Sequence, residues 1–211
     1  MLFTDWQAIL QPLIEKYKDY KHPLHFKNPY QLVIMVILAA QDSDANINIV
    51  CKPFFKTYPD FKSLSITTSN DLLVYFSSVK NYSNKINWIL DTASVLKDRT
   101  IPKRLDELIK LRGIGRKSAN VILRETHQKP EGILVDLHVI RVVPRFGLTS
   151  EFKDANKIEK ILMEKLPYSM WNDIGMAFSF LGRTICRPTN PKCTICPIHT
   201  DCAYFKKITN P

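Results

Sequence analysis

The sequence predicts an all-helical fold, and three features of the chain support this prediction. Only six of the 211 residues are glycine. Apolar residues recur at helical spacing in most segments, and no apolar/polar alternation lasts long enough to indicate a sheet. Prolines separate the periodic segments and predict short connections between helices; they stand at positions 23, 59, 102, 130 and 167.

The clearest helix start is Asn28-Pro29, a capping residue followed by proline at the first helical position. It predicts a helix through Tyr30 to about Gln41 that is apolar nearly all round and therefore central in the fold. The remaining pattern predicts nine further helices, over residues 4–20, 44–56, 69–77, 83–97, 103–110, 116–127, 136–146, 154–166 and 168–183.

The composition excludes two broad classes of protein. Hydrophobic residues make up 45% and charged residues 24% of the chain, which is typical of globular proteins rather than disordered ones. The longest apolar stretch, Leu32 to Ala40, is too short to span a bilayer. The first residues have no basic segment before an apolar core, so we expect no secretory signal and a cytoplasmic location, associated with the nucleoid if the source is bacterial.

The formal net charge of +10 favours a polyanionic partner, with nucleic acid as the leading candidate. Residues 101–150 hold ten basic and five acidic residues, and residues 181–211 hold five basic and one acidic, so these stretches carry +5 and +4. The alternative is a basic surface that only keeps the protein soluble. The segregation of charge into the two stretches that also contain unusual motifs favours nucleic-acid binding.

Four of the five cysteines fall within seventeen residues in the pattern C-x6-C-x2-C-x5-C; they are Cys186, Cys193, Cys196 and Cys202. Without an export signal, such a cluster predicts metal binding rather than disulfides. One C-x2-C pair flanked by two unequal short loops favours an iron-sulfur cluster over zinc. Cys51 lies on an apolar helix face and is expected to be a buried thiol.

The loop between the first two of these cysteines, residues 187–192, carries a cation at each end and two prolines. Arg187 and Lys192 could therefore be presented to a phosphate. The alternative is that they offset the negative charge of a metal-thiolate cluster, and the sequence leaves both interpretations open.

A glycine-rich turn, with Gly113 and Gly115 at alternate positions, separates two predicted helices. Its backbone amides could bind a phosphate at the positive end of the following helix, although the turn could also be a simple helix connection. Lys117 lies in the first turn of that helix, close to Arg116. The positive end of the helix dipole and the charge of Arg116 both disfavour its ammonium form. Lys117 is thus a candidate nucleophile, against the alternative of a solvated surface lysine.

Asp136 stands among apolar residues at the start of another predicted helix. Such a carboxylate is usually a helix N-cap, and catalysis is the alternative.

Three strings in this order carry a family resemblance: LRGIGRKSANVIL at 111–123, VDLHVIRV at 135–142, and the cysteine spacing. The chain closely resembles endonuclease III of the helix-hairpin-helix glycosylase superfamily. The match extends upstream through residues 28–32, 40–44 and 82–85 and covers most of the chain.

The resemblance implies roles for the residues singled out above. Lys117 would be the Schiff-base nucleophile, Asp136 the essential carboxylate, and Gly113 with Gly115 the phosphate-binding backbone. Gln41 would enter the duplex near the vacated base position. The four cysteines would ligate a four-iron four-sulfur (4Fe-4S) cluster.

The resemblance also implies two helical lobes with a DNA-binding cleft between them, which would hold the active site. A six-helix domain with the helix-hairpin-helix motif would cover residues 21–132. An iron-sulfur cluster domain would combine 1–20 with 133–211, its cluster loop at 186–202.

Several positions depart from the family pattern. Arg112 stands where the family usually has Pro, Leu137 where it has Thr, and Asn81 where it has Leu in the loop that wedges the duplex. The interval from Lys117 to Asp136 is one residue longer, and we place the insertion in the turn at 128–132. A polar amide at Asn81 cannot plug a base stack as an apolar wedge does, but it could hydrogen-bond an orphaned base.

The expected function is base-excision repair by a bifunctional DNA glycosylase and β-eliminating AP lyase acting on oxidised pyrimidines. The alternatives are a related enzyme with another lesion specificity and a DNA-binding module without chemistry. Retention of both Lys117 and Asp136 argues against the module, and Lys117 against a purely monofunctional adenine-mismatch enzyme. The expected partner is double-stranded DNA with damaged bases or abasic sites, bound by a monomer away from membranes.

Overall fold

A computed structural model describes residues 5–209, and within this range every regular element is helical, as predicted. The α-helices are α1 (Trp6–Tyr17), α2 (Pro29–Leu38), α3 (Asp44–Thr57), α4 (Phe61–Ser65), α5 (Ser69–Phe76), α6 (Tyr82–Leu96), α7 (Leu105–Leu108), α8 (Arg116–Glu125), α9 (Leu137–Phe146), α10 (Ala155–Lys165), α11 (Trp171–Thr184) and α12 (Ala203–Thr209). Three short 3-10 helices cover Tyr168–Met170, Cys193–Ile195 and His199–Asp201. No helix in the described range is both long and apolar enough to cross a membrane.

The chain divides into two compact units. The central unit is Lys21–Lys129, and the split unit combines Met1–Tyr20 with Pro130–Pro211. Each has its own buried apolar core.

The core of the central unit is built around α2. Every residue from Leu32 to Leu38 is buried, which confirms the prediction that this helix is central. Its start is also as predicted, because the Asn28 side chain accepts a hydrogen bond from the backbone N–H of Gln31 at 2.9 Å and Pro29 opens the helix. Helices α3, α6 and α8 pack against it.

The split unit is organised by the close contact of α11 with α9 and α1. A side chain at Gly182 would come within 2.8 Å of the His138 Cβ, so glycine is what allows α11 to approach α9. On another face of α11, the Tyr17 hydroxyl hydrogen-bonds the Thr184 hydroxyl at 2.7 Å, and the rings of Tyr17 and Phe180 stack. These contacts fix the start of α9, which Asp136 caps, and the end of α11, which Cys186 follows by two residues.

The structure corrects several predicted helix limits. Helix α2 ends at Leu38 rather than near Gln41, because the backbone of Gln41 is left-handed, with φ 60°. Helix α1 covers 6–17 instead of 4–20, and position 4 lies outside the described residues. Helices α4 and α12 were not predicted, since five and seven residues are too few to show a helical period.

Candidate functional site

The glycine-rich turn connects α7 to α8 in the central unit, and its two glycines differ in their surroundings. Gly113 has φ +82°, and a Cβ there would lie 2.7 Å from the Trp88 ring and 3.0 Å from Ile37. Gly115 is the N-cap of α8 without a side-chain cap, and nothing lies within 4 Å of a Cβ built on it. Glycine is thus needed at 113 for the backbone conformation and packing of the turn, whereas Gly115 leaves the N-terminus of α8 open to a ligand.

Lys117 lies in the first turn of α8 with an exposed side chain, and Arg116, the first residue of that helix, is half-buried. Arg112 is exposed and forms a 2.7 Å ion pair with Asp91 of α6. The charge of Arg112 is therefore partly matched within the protein, whereas Lys117 faces solvent at the open end of the helix.

A histidine that the sequence did not single out lies in the electrostatic neighbourhood of Lys117. Burial holds the pKa of His22 below its usual value; Glu125 and Asp44 oppose this shift, whereas Lys117 and Arg124 reinforce it. The imidazole is therefore neutral near neutral pH. Sequence reasoning had no signal for it, because His22 precedes Lys117 by 95 positions and stands in an irregular segment.

The Asp136 carboxylate is 9% exposed and engages two sets of partners within the split unit. Its Oδ1 accepts hydrogen bonds from the backbone N–H groups of His138 at 2.8 Å and Val139 at 3.0 Å. Its Oδ2 accepts one from the Ser179 hydroxyl at 2.6 Å and lies 3.9 Å from the Arg183 guanidinium. Asp136 does cap α9, but capping occupies only one of its oxygens. Ser179 is a neighbour that the sequence did not reveal.

Gln41 and Asn81 lie in two turns of the central unit, and both backbones are left-handed, with φ 60° and 56°. Both side chains are exposed. The side chain of Asn81 does not cap α6, which begins at the next residue.

The four clustered cysteines line one pocket of the split unit. All are free thiols of intermediate exposure; they are Cys186, Cys193, Cys196 and Cys202. Burial, together with nearby thiols, raises the pKa of Cys196 to about 11. Within residues 5–209 no group of three or more His, Cys, Asp or Glu side chains is arranged to hold a metal ion. Cys51 is buried as predicted, and burial raises its pKa to about 12.

Arg145 of α9, which the sequence did not single out, contacts the first part of the cluster loop. Its guanidinium donates to the backbone oxygens of Arg187 at 2.8 Å and Pro188 at 3.0 Å. It also lies 3.7 Å from the Cys186 sulfur. Arg187 and Lys192 themselves have exposed side chains.

The hairpin between α7 and α8 and the open N-terminus of α8 define a helix-hairpin-helix protein, and comparisons with known proteins agree. The HhH-GPD superfamily of base excision DNA repair proteins matches residues 34–168. Endonuclease III of Bacillus subtilis is 34% identical over 183 residues, covering 85% of this chain and 83% of that protein. Endonuclease III of Rickettsia felis is 32% identical over 88% of this chain and 87% of that protein.

Solved structures give the same result. A trapped endonuclease III–DNA covalent intermediate matches with a TM-score of 0.87 and 31% identity over 100% of both chains. A thermostable thymine-DNA glycosylase shares the fold at a TM-score of 0.81 and 18% identity, over 95% of this chain and 96% of that one. The chain belongs to the endonuclease III family of the HhH-GPD base excision DNA repair proteins, whose members are DNA glycosylases and AP lyases.

Proposed function

We propose that this protein binds double-stranded DNA, excises oxidised pyrimidines and cleaves the strand at the resulting abasic site, with Lys117 as nucleophile and Asp136 as the essential carboxylate. The observation that carries the proposal is the placement of Lys117, an exposed amine in the first turn of α8 directly after the open hairpin. The family relationship supports the same assignment.

The hairpin supplies the DNA contact. Because Gly115 leaves space above the N-terminus of α8, a backbone phosphate can approach the first N–H groups of that helix, where the helix dipole favours negative charge. This contact brings the sugar of a flipped nucleotide towards Lys117.

The chemistry requires an amine and a carboxylate. The neutral amine of Lys117 forms a bond to C1′ while the bond from C1′ to the base breaks, and the base leaves with the electron pair and takes up a proton. The sugar ring then opens to an imine. Loss of a proton from C2′ and departure of the 3′ phosphate complete the β-elimination, and water releases Lys117 from the product.

Asp136 stabilises the positive charge that develops on the sugar as the base departs. The carboxylate is held in one orientation by the hydrogen bonds that it accepts from the α9 backbone and from the Ser179 hydroxyl.

The four cysteines fit a 4Fe-4S cluster in donor chemistry and in number, since four thiols line one pocket. A cluster is larger than a single ion, so its ligands stand further apart than the ligands of one metal. The cluster, when bound, would serve as a structural crosslink of the loop at 187–192. Arg145 would then place a positive charge next to one of its thiolates.

Borohydride trapping tests the proposal. Duplexes carrying an oxidised pyrimidine, a mismatch or a preformed abasic site are incubated with the protein and borohydride, and the covalent complex is measured. We expect trapping on the oxidised pyrimidine and on the abasic site, and its complete loss in Lys117→Gln. Full trapping in that variant would place the nucleophile elsewhere.

Asn81 favours an alternative substrate specificity for the enzyme. Its exposed polar amide stands where the family usually has an apolar wedge. An enzyme of this kind would act on another lesion, a mismatch or abasic sites. The same panel separates the two, because trapping on the mismatch or the abasic site alone would select this second function.

A further inference from the structure

One acidic residue, Asp42, joins the turns that carry Gln41 and Asn81. The sequence pattern gives it no role of its own. The Gln41 turn is residues 39–43 and follows α2, and the Asn81 turn is residues 77–81 and precedes α6. The Asp42 Oδ2 accepts a hydrogen bond from the backbone N–H of Lys80 at 2.7 Å. Within residues 5–209 no other hydrogen bond links the two turns.

The second oxygen of Asp42 holds its own turn. Oδ1 accepts from the backbone N–H of Ser43 at 2.8 Å and from the Asn46 side chain at 3.1 Å. Burial alone would raise the pKa of Asp42, but the bonds from Lys80, Asn46 and Ser43, with the charge of Lys85, hold it below its usual value. The carboxylate is therefore ionised at neutral pH and serves three donors at once.

A buried lysine anchors the same region. Lys85 is 1% exposed, and its ammonium donates to the backbone oxygen of Leu38, the last residue of α2, at 2.7 Å. Burial lowers its pKa, and the charge of Asp42 opposes that shift. The charges of Lys85 and Asp42 thus stabilise each other, and Lys85 holds the end of α2, which the Gln41 turn follows.

The residues at the tips are left available for DNA. Gln41 and Asn81 have exposed side chains, and within the described residues neither side-chain amide makes a hydrogen bond to protein. Both tips have left-handed backbones, which asparagine adopts readily but which are uncommon for glutamine. The Asp42 bonds hold residues next to each tip, since they engage Ser43 and Lys80.

We propose that Asp42 is a positioning residue that clasps the Gln41 and Asn81 turns into one rigid element, so that both amides are preorganised to occupy the base stack when a damaged nucleotide is extruded. The inference rests on the proposed function. Preorganisation raises the rate because the two turns need not be ordered as the duplex opens. Asp42 touches neither the sugar nor the base.

The clasp itself is tested in the free protein by amide hydrogen exchange. Asp42→Ala should speed exchange in peptides covering the Asn81 turn, and Asp42→Asn should do so less, because one amide oxygen cannot serve all three donors. Unchanged exchange at the Asn81 turn in Asp42→Ala would overturn the proposal.

The functional consequence is tested by single-turnover kinetics on two substrates, thymine glycol paired with adenine and a preformed abasic site. Asp42→Ala should slow excision of the paired lesion about tenfold, which corresponds to ordering one further residue during extrusion. Cleavage at the abasic site, where no base must leave the stack, should change less than about twofold.

The matched control is Asp60→Ala. Asp60 also accepts a backbone bond, from Ser63 at 2.7 Å, but it caps α4 and touches neither turn. It should lower the melting temperature about as much as Asp42→Ala while leaving the ratio of the two rates unchanged. An equal loss on both substrates in Asp42→Ala would overturn the clasp, whereas a wild-type protein inactive on both would overturn the proposed function instead.

Discussion

At the scale of single residues, Asp136 shows how one carboxylate can serve the fold and the chemistry together. The cap bonds of α9 use Oδ1, and Oδ2 is left to Ser179 and the more distant Arg183. Position and charge are therefore separable properties of this residue, because an amide of the same shape keeps the first and removes the second.

Asp136→Asn tests this separation. The side-chain oxygen of asparagine still caps α9, so the free energy of unfolding should change by less than about 1 kcal/mol. Loss of the negative charge should slow base excision by about 10²- to 10³-fold. Single-turnover excision and chemical denaturation measure the two effects. Undiminished excision in a stable variant would reduce Asp136 to a helix cap.

At the scale of elements, local signals in the sequence predicted the helices that are long or clearly capped. The start of α2 follows from Asn28 and Pro29, and its apolar run places it in the core. The pairings that build the site join distant positions: 38 residues separate Asp42 from Lys80, and 43 separate Asp136 from Ser179. No period or motif encodes such contacts, so only the folded chain reveals them.

The hairpin glycines give a matched pair of substitutions. Gly113→Ala should destabilise the protein by about 1–3 kcal/mol, because the new Cβ meets Trp88 and Ile37 at a left-handed backbone position. Gly115→Ala should leave stability within about 0.5 kcal/mol, since its Cβ meets nothing.

DNA affinity should respond differently at Gly115. A methyl group there would crowd a phosphate approaching the N-terminus of α8, so binding to abasic DNA should weaken while the fold stays intact. Thermal denaturation and fluorescence anisotropy separate these quantities. Unchanged affinity in Gly115→Ala would show that no DNA phosphate binds at this end of the helix.

At the scale of the whole molecule, the net charge of +10 predicts DNA binding that weakens steeply with salt. If Arg187 and Lys192 contact phosphates, replacing either with alanine should reduce the slope of log affinity against log salt by about 0.9. Lys18→Ala is the control, because this exposed lysine pairs with Glu15 at 2.9 Å. Slopes equal to the wild-type value in both test variants would show that these cations contact no phosphate.

The cysteine pocket predicts the metal content of the purified protein. Material prepared without oxygen should be yellow-brown and contain about four iron atoms per chain. Replacing one pocket cysteine with serine should lower that content, whereas Cys51→Ser should not, since Cys51 is buried in the other unit. Stoichiometric zinc without iron would reject the iron-sulfur assignment.

The contact between Gly113 and Trp88 also makes the hairpin optically observable. Trp88 is the one tryptophan of the central unit, and its ring would meet a Gly113 Cβ at 2.7 Å. An indole this close to the hairpin backbone senses any change in that backbone's electrostatic surroundings. With Trp6 and Trp171 replaced by phenylalanine, the emission of Trp88 should change as DNA is added. Stopped-flow fluorescence would then time the arrival of a phosphate at the hairpin separately from the chemistry at Lys117.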